Sequence, residues 1–330
     1  MPAPTKPASA LAHYKLPLTL SRALKDDDAV LLAADPGGRQ YLLKIMTPKG
    51  GEDYAAARNV FHTRRQLALS MAILRRLMPF GLGTAQPVRD RRGAYVTALG
   101  ASTFATLTTF VDAPVLSGLP DDRRRQAARA AGEAAARLHD ASARALAGIA
   151  PRRPHHLAAY QRRVLSRIEA GVGRTITAAQ FDVLRRGSLR IEDCISRATA
   201  DAPRSVGLIH TDLRDANLCY DGARAIPIDF TRAAYGPYLY DLGEMCAHMG
   251  GATVQEEILR GYHAVRPLRA QDVRDVQAYF VQFLLCVLAE RAALPADGWL
   301  RDTVEKLAAV YIPALNGEGF FEPSVLASIP

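Results

Sequence analysis

The sequence of 330 residues has no long apolar run and few cysteines. No stretch approaches the ~20 apolar residues that a membrane-spanning helix requires, so we predict no membrane partner. Only four cysteines are present, none in a C-x-x-C pair: Cys194, Cys219, Cys246 and Cys286. Because such spacing favours neither a disulfide framework nor a thiolate metal site, we expect free buried thiols in a reducing cytoplasm. The first fifteen residues lack the pattern of a signal peptide and are predicted to form a frayed tail.

Acidic residues are scarce in the first third of the chain. The formal net charge is +9, and residues 1–110 hold 15 Lys and Arg against 7 Asp and Glu, while the remainder holds 27 against 26. A basic segment of this kind suits an anionic ligand. The alternative ligand is nucleic acid, but the arginine pairs are scattered and lack interleaved aromatic residues. We therefore interpret them as solvated surface and predict no nucleic-acid partner.

Residues 206–242 concentrate polar side chains that are able to do chemistry. A short apolar strand leads into the polar loop 210–217, and an Asp-Gly turn signal at 221–222 then separates two extended segments. With the hairpin turn centred near position 223, Asn217 is predicted to face Asp229, and Asp212 lies on the loop that leads to the same end. Two carboxylates and an amide oxygen without His or Cys suit Mg²⁺ held jointly with substrate phosphates. The alternative is that these are ordinary turn residues, since Asp and Asn are common in turns.

The spacing of these residues is similar to that of a known enzyme family. The pattern His210-x-Asp212-x-x-x-x-Asn217 is followed twelve residues later by Asp229-Phe230, and then by GPYLYDL at 236–242. Together these blocks resemble the aminoglycoside phosphotransferase and choline kinase family, within the protein-kinase-like superfamily. The resemblance implies an α+β, bilobal fold. Its small antiparallel-sheet N-lobe, residues 1–111, would bind nucleotide. Its larger, mostly helical C-lobe, residues 112–330, would carry the catalytic loop, the metal site and the substrate pocket.

The same resemblance implies roles for individual residues. Asp212 would be the base or orienting group for an acceptor hydroxyl, and Asn217 and Asp229 would hold Mg²⁺ against the β- and γ-phosphates. Arg214 would reach the transferring phosphoryl group, although a surface arginine is the alternative. Lys44, in the predicted third strand, would hold the nucleotide phosphates. Its alternative is a surface lysine on an edge strand.

The N-terminal segment departs from protein kinases in two respects. Strands are predicted within 16–34 and over 40–46, but the turn at 24–28 carries three aspartates and no G-x-G-x-x-G motif. A long helix is predicted over 54–78, and it contains no Asp or Glu where kinases carry a glutamate that pairs with the strand lysine. Gln66 lies about where that glutamate belongs. It either positions Lys44 through a neutral hydrogen bond or is a surface residue.

The family resemblance implies an ATP-dependent phosphotransferase that acts on a hydroxyl of a small molecule. Use of GTP, and a monomer or a homodimer, remain open. An antibiotic-resistance kinase of the aminoglycoside phosphotransferase type and a non-catalytic nucleotide-binding pseudokinase are the alternatives. An aminoglycoside is a polycation, and four acidic residues are candidates for an acidic pocket: Glu256, Glu257, Asp272 and Asp275. Because the C-terminal two thirds are nearly neutral overall, we favour a metabolite or a less cationic natural product.

Overall fold

The computed structural model describes residues 6–24, 30–46, 63–145, 157–202, 204–291, 298–317 and 319–327. The chain divides into two compact units, residues 1–112 and 113–330. The aspartates of the predicted turn at 24–28, and residues 54–62 of the predicted long helix, lie outside the described residues.

The N-terminal unit is built on an antiparallel sheet. Its strands are β1 (Thr19–Ala23), β2 (Val30–Ala34), β3 (Gln40–Met46), β4 (Pro87–Val88), β5 (Thr97–Ala98) and β6 (Phe104–Thr109). The strand order is β1-β2-β3-β6-β4, and β5 also pairs with β6. Strand β3 therefore lies inside the sheet, so Lys44 is not on an edge strand.

A short helix, α1 (Lys6–Leu11), precedes the sheet. Ala10 and Tyr14 are almost fully buried and belong to one apolar cluster with Tyr41 and Leu43 of β3. Burial is the main cause that raises the pKa of Tyr14, to about 12. The predicted frayed tail is thus wrong from residue 6 onward, because Ala10 and Leu11 of α1, and Tyr14 just beyond it, are buried in one apolar cluster with residues of the sheet.

The second helix of this unit, α2 (Arg64–Leu77), has a defined start. Thr63 is extended, with φ −69° and ψ 147°, and its side-chain oxygen accepts a hydrogen bond from the backbone N–H of Gln66 at 3.2 Å. This is an N-cap, which marks the first turn of a helix. Helix α2 therefore begins at Arg64, within the predicted range 54–78, and Gln66 lies in its first turn.

The C-terminal unit is mostly helical. Its helices are α3 (Asp121–Ala145), α4 (Ala158–Glu169), α5 (Ala178–Ala200), α6 (Leu239–Met249), α7 (Ala252–Val265), α8 (Ala270–Arg291), α9 (Gly298–Lys306), α10 (Ile312–Leu315) and α11 (Pro323–Leu326), and a π-helical turn (Leu307–Tyr311) joins α9 to α10. Helices α3 and α7 approach so closely that a Cβ atom at Gly132 would overlap the carbonyl oxygen of Ile258. A Cβ atom at Gly243 of α6 would likewise overlap the backbone of α8. The second contact holds α6 against α8 within the helical core.

Two short antiparallel pairs complete this unit. Strand β7 (Val206–Ile209) pairs with β10 (Ala234–Pro237), and β8 (Leu218–Tyr220) pairs with β9 (Ala225–Pro227). The predicted hairpin is therefore present. Asp221 lies in the turn between β8 and β9, and its side chain accepts hydrogen bonds from the backbone N–H groups of Ala223 and Arg224.

The prediction that the four cysteines are free and buried is confirmed, while the reducing cytoplasm stays a prediction. Burial raises the pKa of Cys194 to about 12 and that of Cys219 to about 11. Among the described residues, no helix is both long and apolar enough to cross a membrane.

Candidate active site

The loop 210–217 follows β7, and helix α6 holds its first residues. Asp241 is fully buried, and its two carboxylate oxygens accept the backbone N–H groups of His210 at 2.8 Å and Thr211 at 3.0 Å. The ring of His139 lies 3.0 Å from the same carboxylate. Thr211 has a positive φ of 58°, a conformation that is costly for a β-branched residue. The buried carboxylate therefore holds the loop in a strained shape just before Asp212.

Asp212, near the start of this loop, and Asn217, at its end, are brought together. The side-chain nitrogen of Asn217 donates to the backbone oxygen of Asp212 at 2.9 Å and to its carboxylate Oδ2 at 2.7 Å. Because the nitrogen is engaged by Asp212, the amide oxygen Oδ1 is the atom of Asn217 that is able to coordinate a cation. The structure thus brings the two side chains together, while their roles as base and metal ligand stay predictions.

Arg214 lies beside the same carboxylate. Its Nε atom is 3.4 Å from Oδ1 of Asp212, and the arginine side chain is 43% exposed against 24% for the aspartate. The guanidinium is thus partly open to solvent next to the candidate base. That position agrees with a contact to an anionic group bound there, and the role of Arg214 stays a prediction.

The predicted pairing of Asn217 with Asp229 is wrong by one residue. Leu218 pairs with Pro227, and the N–H of Ile228 donates to the carbonyl of Asn217 at 2.9 Å, so Asn217 faces Ile228. Asp229 follows in the left-handed conformation, with φ 64° and ψ 62°. Its Oδ1 accepts the hydroxyl of Thr231 at 2.6 Å. Asp229 thus lies two residues beyond the end of β9, and its strained backbone conformation is a feature common at functional sites.

The candidate metal ligands are hard oxygen donors. No cluster of three or more His, Cys, Asp and Glu side chains suited to a metal ion occurs in the part of the chain that the structure describes. An amide oxygen from Asn217 and a carboxylate from Asp229 fit Mg²⁺, which keeps few protein ligands and completes its shell with water and substrate phosphates. The donor set therefore fits the predicted ion, while its role stays a prediction.

His210 joins the loop to the end of the hairpin. Its Nε2 atom lies 2.9 Å from the carbonyl oxygen of Ile228, and its ring lies 4.7 Å from that of Phe230. The side chain is fully buried. His210 thus connects the loop of Asp212 to the residue before Asp229, which is a structural contact between the two parts of the site.

Glu244 is a site residue that the sequence interpretation missed. It lies on α6 with 2% exposure, and its Oε2 accepts the backbone N–H of Leu213 at 3.2 Å. Burial, and then the negative charges of Asp212 and Asp241, raise the pKa of Glu244 well above its usual value, while Arg232 opposes the shift. The spacing of Asp241 and Glu244 was the available signal, because residues three apart share one helix face.

Arg232 and Glu290 form a second feature that was missed. The Nη2 atom of Arg232 donates to Oε1 of Glu290 at 2.9 Å, and the backbone oxygen of Arg232 accepts the hydroxyl of Thr211 at 2.7 Å. Burial lowers the pKa of Arg232, but the charges of Glu290 and Asp212 outweigh it and raise the pKa above its ordinary value. A paired cation therefore lies within electrostatic range of Asp212.

Lys44 and Gln66 belong to the N-terminal unit. Lys44 is half-buried on β3, between Val30 of β2 and Thr106 of β6. Gln66 is 4% exposed, so the alternative that it is a surface residue is wrong. Its backbone N–H is engaged by the N-cap Thr63. The pairing of Gln66 with Lys44 stays a prediction.

Comparisons with known proteins identify the family. The family model described as APH, phosphotransferase enzyme family, matches residues 24–275. No curated protein sequence matches the chain significantly. Similar solved structures include an aminoglycoside phosphotransferase from Alicyclobacillus acidocaldarius, with 18% identity, a TM-score of 0.64, and coverage of 96% of this chain and 97% of that one.

Two further structures agree with this result. The amicoumacin kinase hAmiN, in complex with AMP-PNP, Ca²⁺ and Ami, has 17% identity and a TM-score of 0.63, and the match covers 91% of each chain. A microcompartment-associated aminopropanol kinase has 21% identity and a TM-score of 0.63, with 93% of this chain and 95% of that one covered. At these identities the likeness establishes the fold, which confirms the predicted kinase-like α+β fold. The family-model match over residues 24–275 confirms the predicted family. The chain belongs to the APH phosphotransferase enzyme family.

Proposed function

We propose that this protein transfers the γ-phosphoryl group of ATP to a hydroxyl of a small molecule. The observation that carries the proposal is the junction of Asp212 and Asn217, whose side chains meet at 2.7 Å on one braced loop. Phosphoryl transfer needs a positioned hydroxyl and neutralised phosphate charge, and this pair suits both needs. A turn with only a structural role would not require the Asp212 carboxylate to be both partly exposed and held in one direction by Asn217.

In this proposal Asp212 accepts a hydrogen bond from the acceptor hydroxyl, orients it and takes its proton. Oδ2 is held by Asn217 and Oδ1 lies near Arg214, so the carboxylate has a fixed direction before substrate binds. Fixed geometry lowers the entropic part of the barrier. Arg214 neutralises charge on the transferring phosphoryl group through its forked, permanently charged guanidinium.

The remaining predicted residues bind the nucleotide. Asn217 and Asp229 hold Mg²⁺, which supplies charge neutralisation on the β- and γ-phosphates when bound. Lys44 binds the nucleotide phosphates from β3. Gln66 supports Lys44 by hydrogen bonding without adding a charge.

The acceptor is a metabolite or a natural product of low positive charge. Each acidic residue that was a candidate for an acidic pocket is paired with an arginine: Glu256 and Glu257 with Arg260 at 2.6 and 3.8 Å, Asp272 with Arg269 at 2.9 Å, and Asp275 with Arg197 at 2.7 Å. Paired carboxylates offer little net charge to a polycation. This supports the metabolite over an aminoglycoside.

The test is acceptor-dependent ADP release over a panel of amino acids, amino alcohols, sugars and antibiotics. We expect one chemical class to stimulate ADP release in the wild type and not in Asp212→Asn. Asp215→Asn is the matched control, because it changes a carboxylate on the same loop that has no assigned role. Stimulation only by aminoglycosides would establish the antibiotic kinase instead. If the protein bound nucleotide but no compound of the panel stimulated ADP release, the pseudokinase would be favoured.

A further inference from the structure

Helix α6 presents two carboxylates to the loop 210–217, one turn apart. Asp241 accepts the N–H groups of His210 and Thr211, on the N-terminal side of Asp212. Glu244 accepts the N–H of Leu213, on its C-terminal side. Asp212 therefore lies between backbone amides that are all held by one helix face.

The peptide group that joins Asp212 to Leu213 is tied at both of its ends. Its carbonyl oxygen accepts the N–H of Arg214 at 3.0 Å and the side-chain nitrogen of Asn217 at 2.9 Å. Its N–H donates to Glu244 at 3.2 Å. Because rotation of this peptide turns the Cα–Cβ bond of Asp212, these contacts set the direction in which the Asp212 carboxylate points. Glu244 supplies the tie on the N–H side.

A buried glutamate is an energetically unfavourable way to hold the N–H of Leu213. Glu244 is 2% exposed, and burying a carboxylate destabilises a protein unless partners compensate it. The next two positions of α6, Met245 and Cys246, are fully buried and fill the core with apolar side chains. Burial, and then the charges of Asp212 and Asp241, raise the pKa of Glu244, and Arg232 and the N–H of Leu213 offset this only in part. Packing alone does not require a carboxylate here.

We propose that Glu244 is a positioning residue for phosphoryl transfer, which orients Asp212 through the N–H of Leu213. It touches neither the acceptor nor the nucleotide. The inference rests on the proposed role of Asp212, and it adds a second brace from α6 to the one that Asp241 provides. What matters is a hydrogen-bond acceptor at the right reach.

Two conservative variants at position 244 separate the length of the side chain from the identity of its polar group. Glu244→Gln keeps the length and an acceptor oxygen, so we expect kcat within about threefold of the wild type. Glu244→Asp keeps the carboxyl group but is one methylene shorter, so we expect kcat to fall about tenfold or more, with the KM values for nucleotide and acceptor within about threefold. Cys246→Ala is the matched control, a fully buried position on α6 whose thiol forms no hydrogen bond to the described residues of the loop, and its kcat should match the wild type.

A double-mutant cycle identifies the residue through which Glu244 acts. In an Asp212→Asn background, Glu244→Asp should lower kcat no further, because the group it positions is already disabled. Multiplicative losses would overturn the inference. So would a Glu244→Asp enzyme as active as the wild type, or a Glu244→Gln enzyme as impaired as Glu244→Asp.

Amide hydrogen exchange at Leu213 gives a readout that needs no acceptor. We expect faster exchange in Glu244→Asp than in Glu244→Gln or Cys246→Ala, and unchanged exchange in Glu244→Asp would overturn the inference whatever the activity. If Leu213 exchanges faster as expected while no acceptor is ever phosphorylated by the wild type, the proposed function fails and the contact itself is retained. The two failures are therefore distinguishable.

Discussion

Replacement of Asp212 by asparagine separates the structural and chemical contributions of this carboxylate. Oδ2 accepts the side-chain nitrogen of Asn217 at 2.7 Å, and Oδ1 lies 3.4 Å from Nε of Arg214. An asparagine is able to keep its oxygen toward Asn217, which directs its amide nitrogen toward the arginine. The hydrogen bond survives without its charge, and the weak ion pair is lost.

The magnitude of each loss follows from these contacts. Hydrogen bonds to charged groups contribute about 1.5–3 kcal/mol against about 0.5–1.5 for neutral ones, and a partly exposed ion pair contributes about 0–1 kcal/mol. We therefore expect Asp212→Asn to lower the free energy of unfolding by about 1–2 kcal/mol. Loss of a general base lowers turnover by about 10²–10⁴, which corresponds to about 2.7–5.4 kcal/mol. The chemical effect should thus exceed the structural one.

The assay compares kcat, nucleotide affinity and thermal unfolding of Asp212→Asn with those of the wild type and Asp215→Asn. Nucleotide affinity should stay within a few-fold, because Asp212 acts on the acceptor side. Wild-type turnover with a verified acceptor would remove Asp212 from the mechanism. A loss of turnover that merely matched the loss of folded protein would assign the residue a structural role only.

Three further predictions address the metal, the nucleotide and the core. Asp229→Ala should reduce the Mg²⁺ dependence of nucleotide affinity more than Asn217→Ala, since a carboxylate brings a full charge to the ion; titrations with and without Mg²⁺ that gave the reverse order would refute the assignment. Gln66→Ala should weaken nucleotide binding less than about tenfold and Lys44→Ala more, while Gln66→Glu should keep wild-type affinity. Wild-type nucleotide affinity of both Gln66 variants in calorimetric titration would mean that another group orients Lys44. Gly132→Ala should lower the free energy of unfolding by about 1–3 kcal/mol or more in denaturant titrations, because its Cβ meets backbone of α7; wild-type stability would contradict that close packing.

The loop motif was predictable because its spacing is local, whereas the hairpin register was not. The sequence shows an Asp-Gly turn at 221–222 but not which residues close it. In the structure Asp221 accepts two backbone N–H groups and Tyr220 pairs with Ala225, which leaves four loop residues. A shift of one residue follows, and it moves Asp229 away from Asn217.

The starts of helices show which signals were overlooked. Thr63-x-x-Gln66 has the spacing of a capping box, and Thr177 and Gln180 form a complete one at the start of α5. That local pattern was sufficient to predict the beginning of α2. Burial of Tyr14 depends instead on packing against distant strands, which no local pattern contains.

The contacts between residues distant in sequence were the least predictable part of the site. The ion pair of Arg232 and Glu290 joins residues 58 positions apart, and Glu244 reaches Leu213 across 31 positions. Such contacts depend on how α6 and α8 pack. They therefore became visible only with the tertiary structure.

Direct detection of the product tests the central claim most closely. ATP labelled in its γ-phosphoryl group is incubated with the acceptor that stimulates ADP release, and the acceptor is isolated and analysed by mass spectrometry. The account predicts that the acceptor carries one labelled phosphoryl group on a hydroxyl oxygen with the wild type and Asp215→Asn, and not with Asp212→Asn. Label found only in inorganic phosphate, with the acceptor unchanged, would contradict the account.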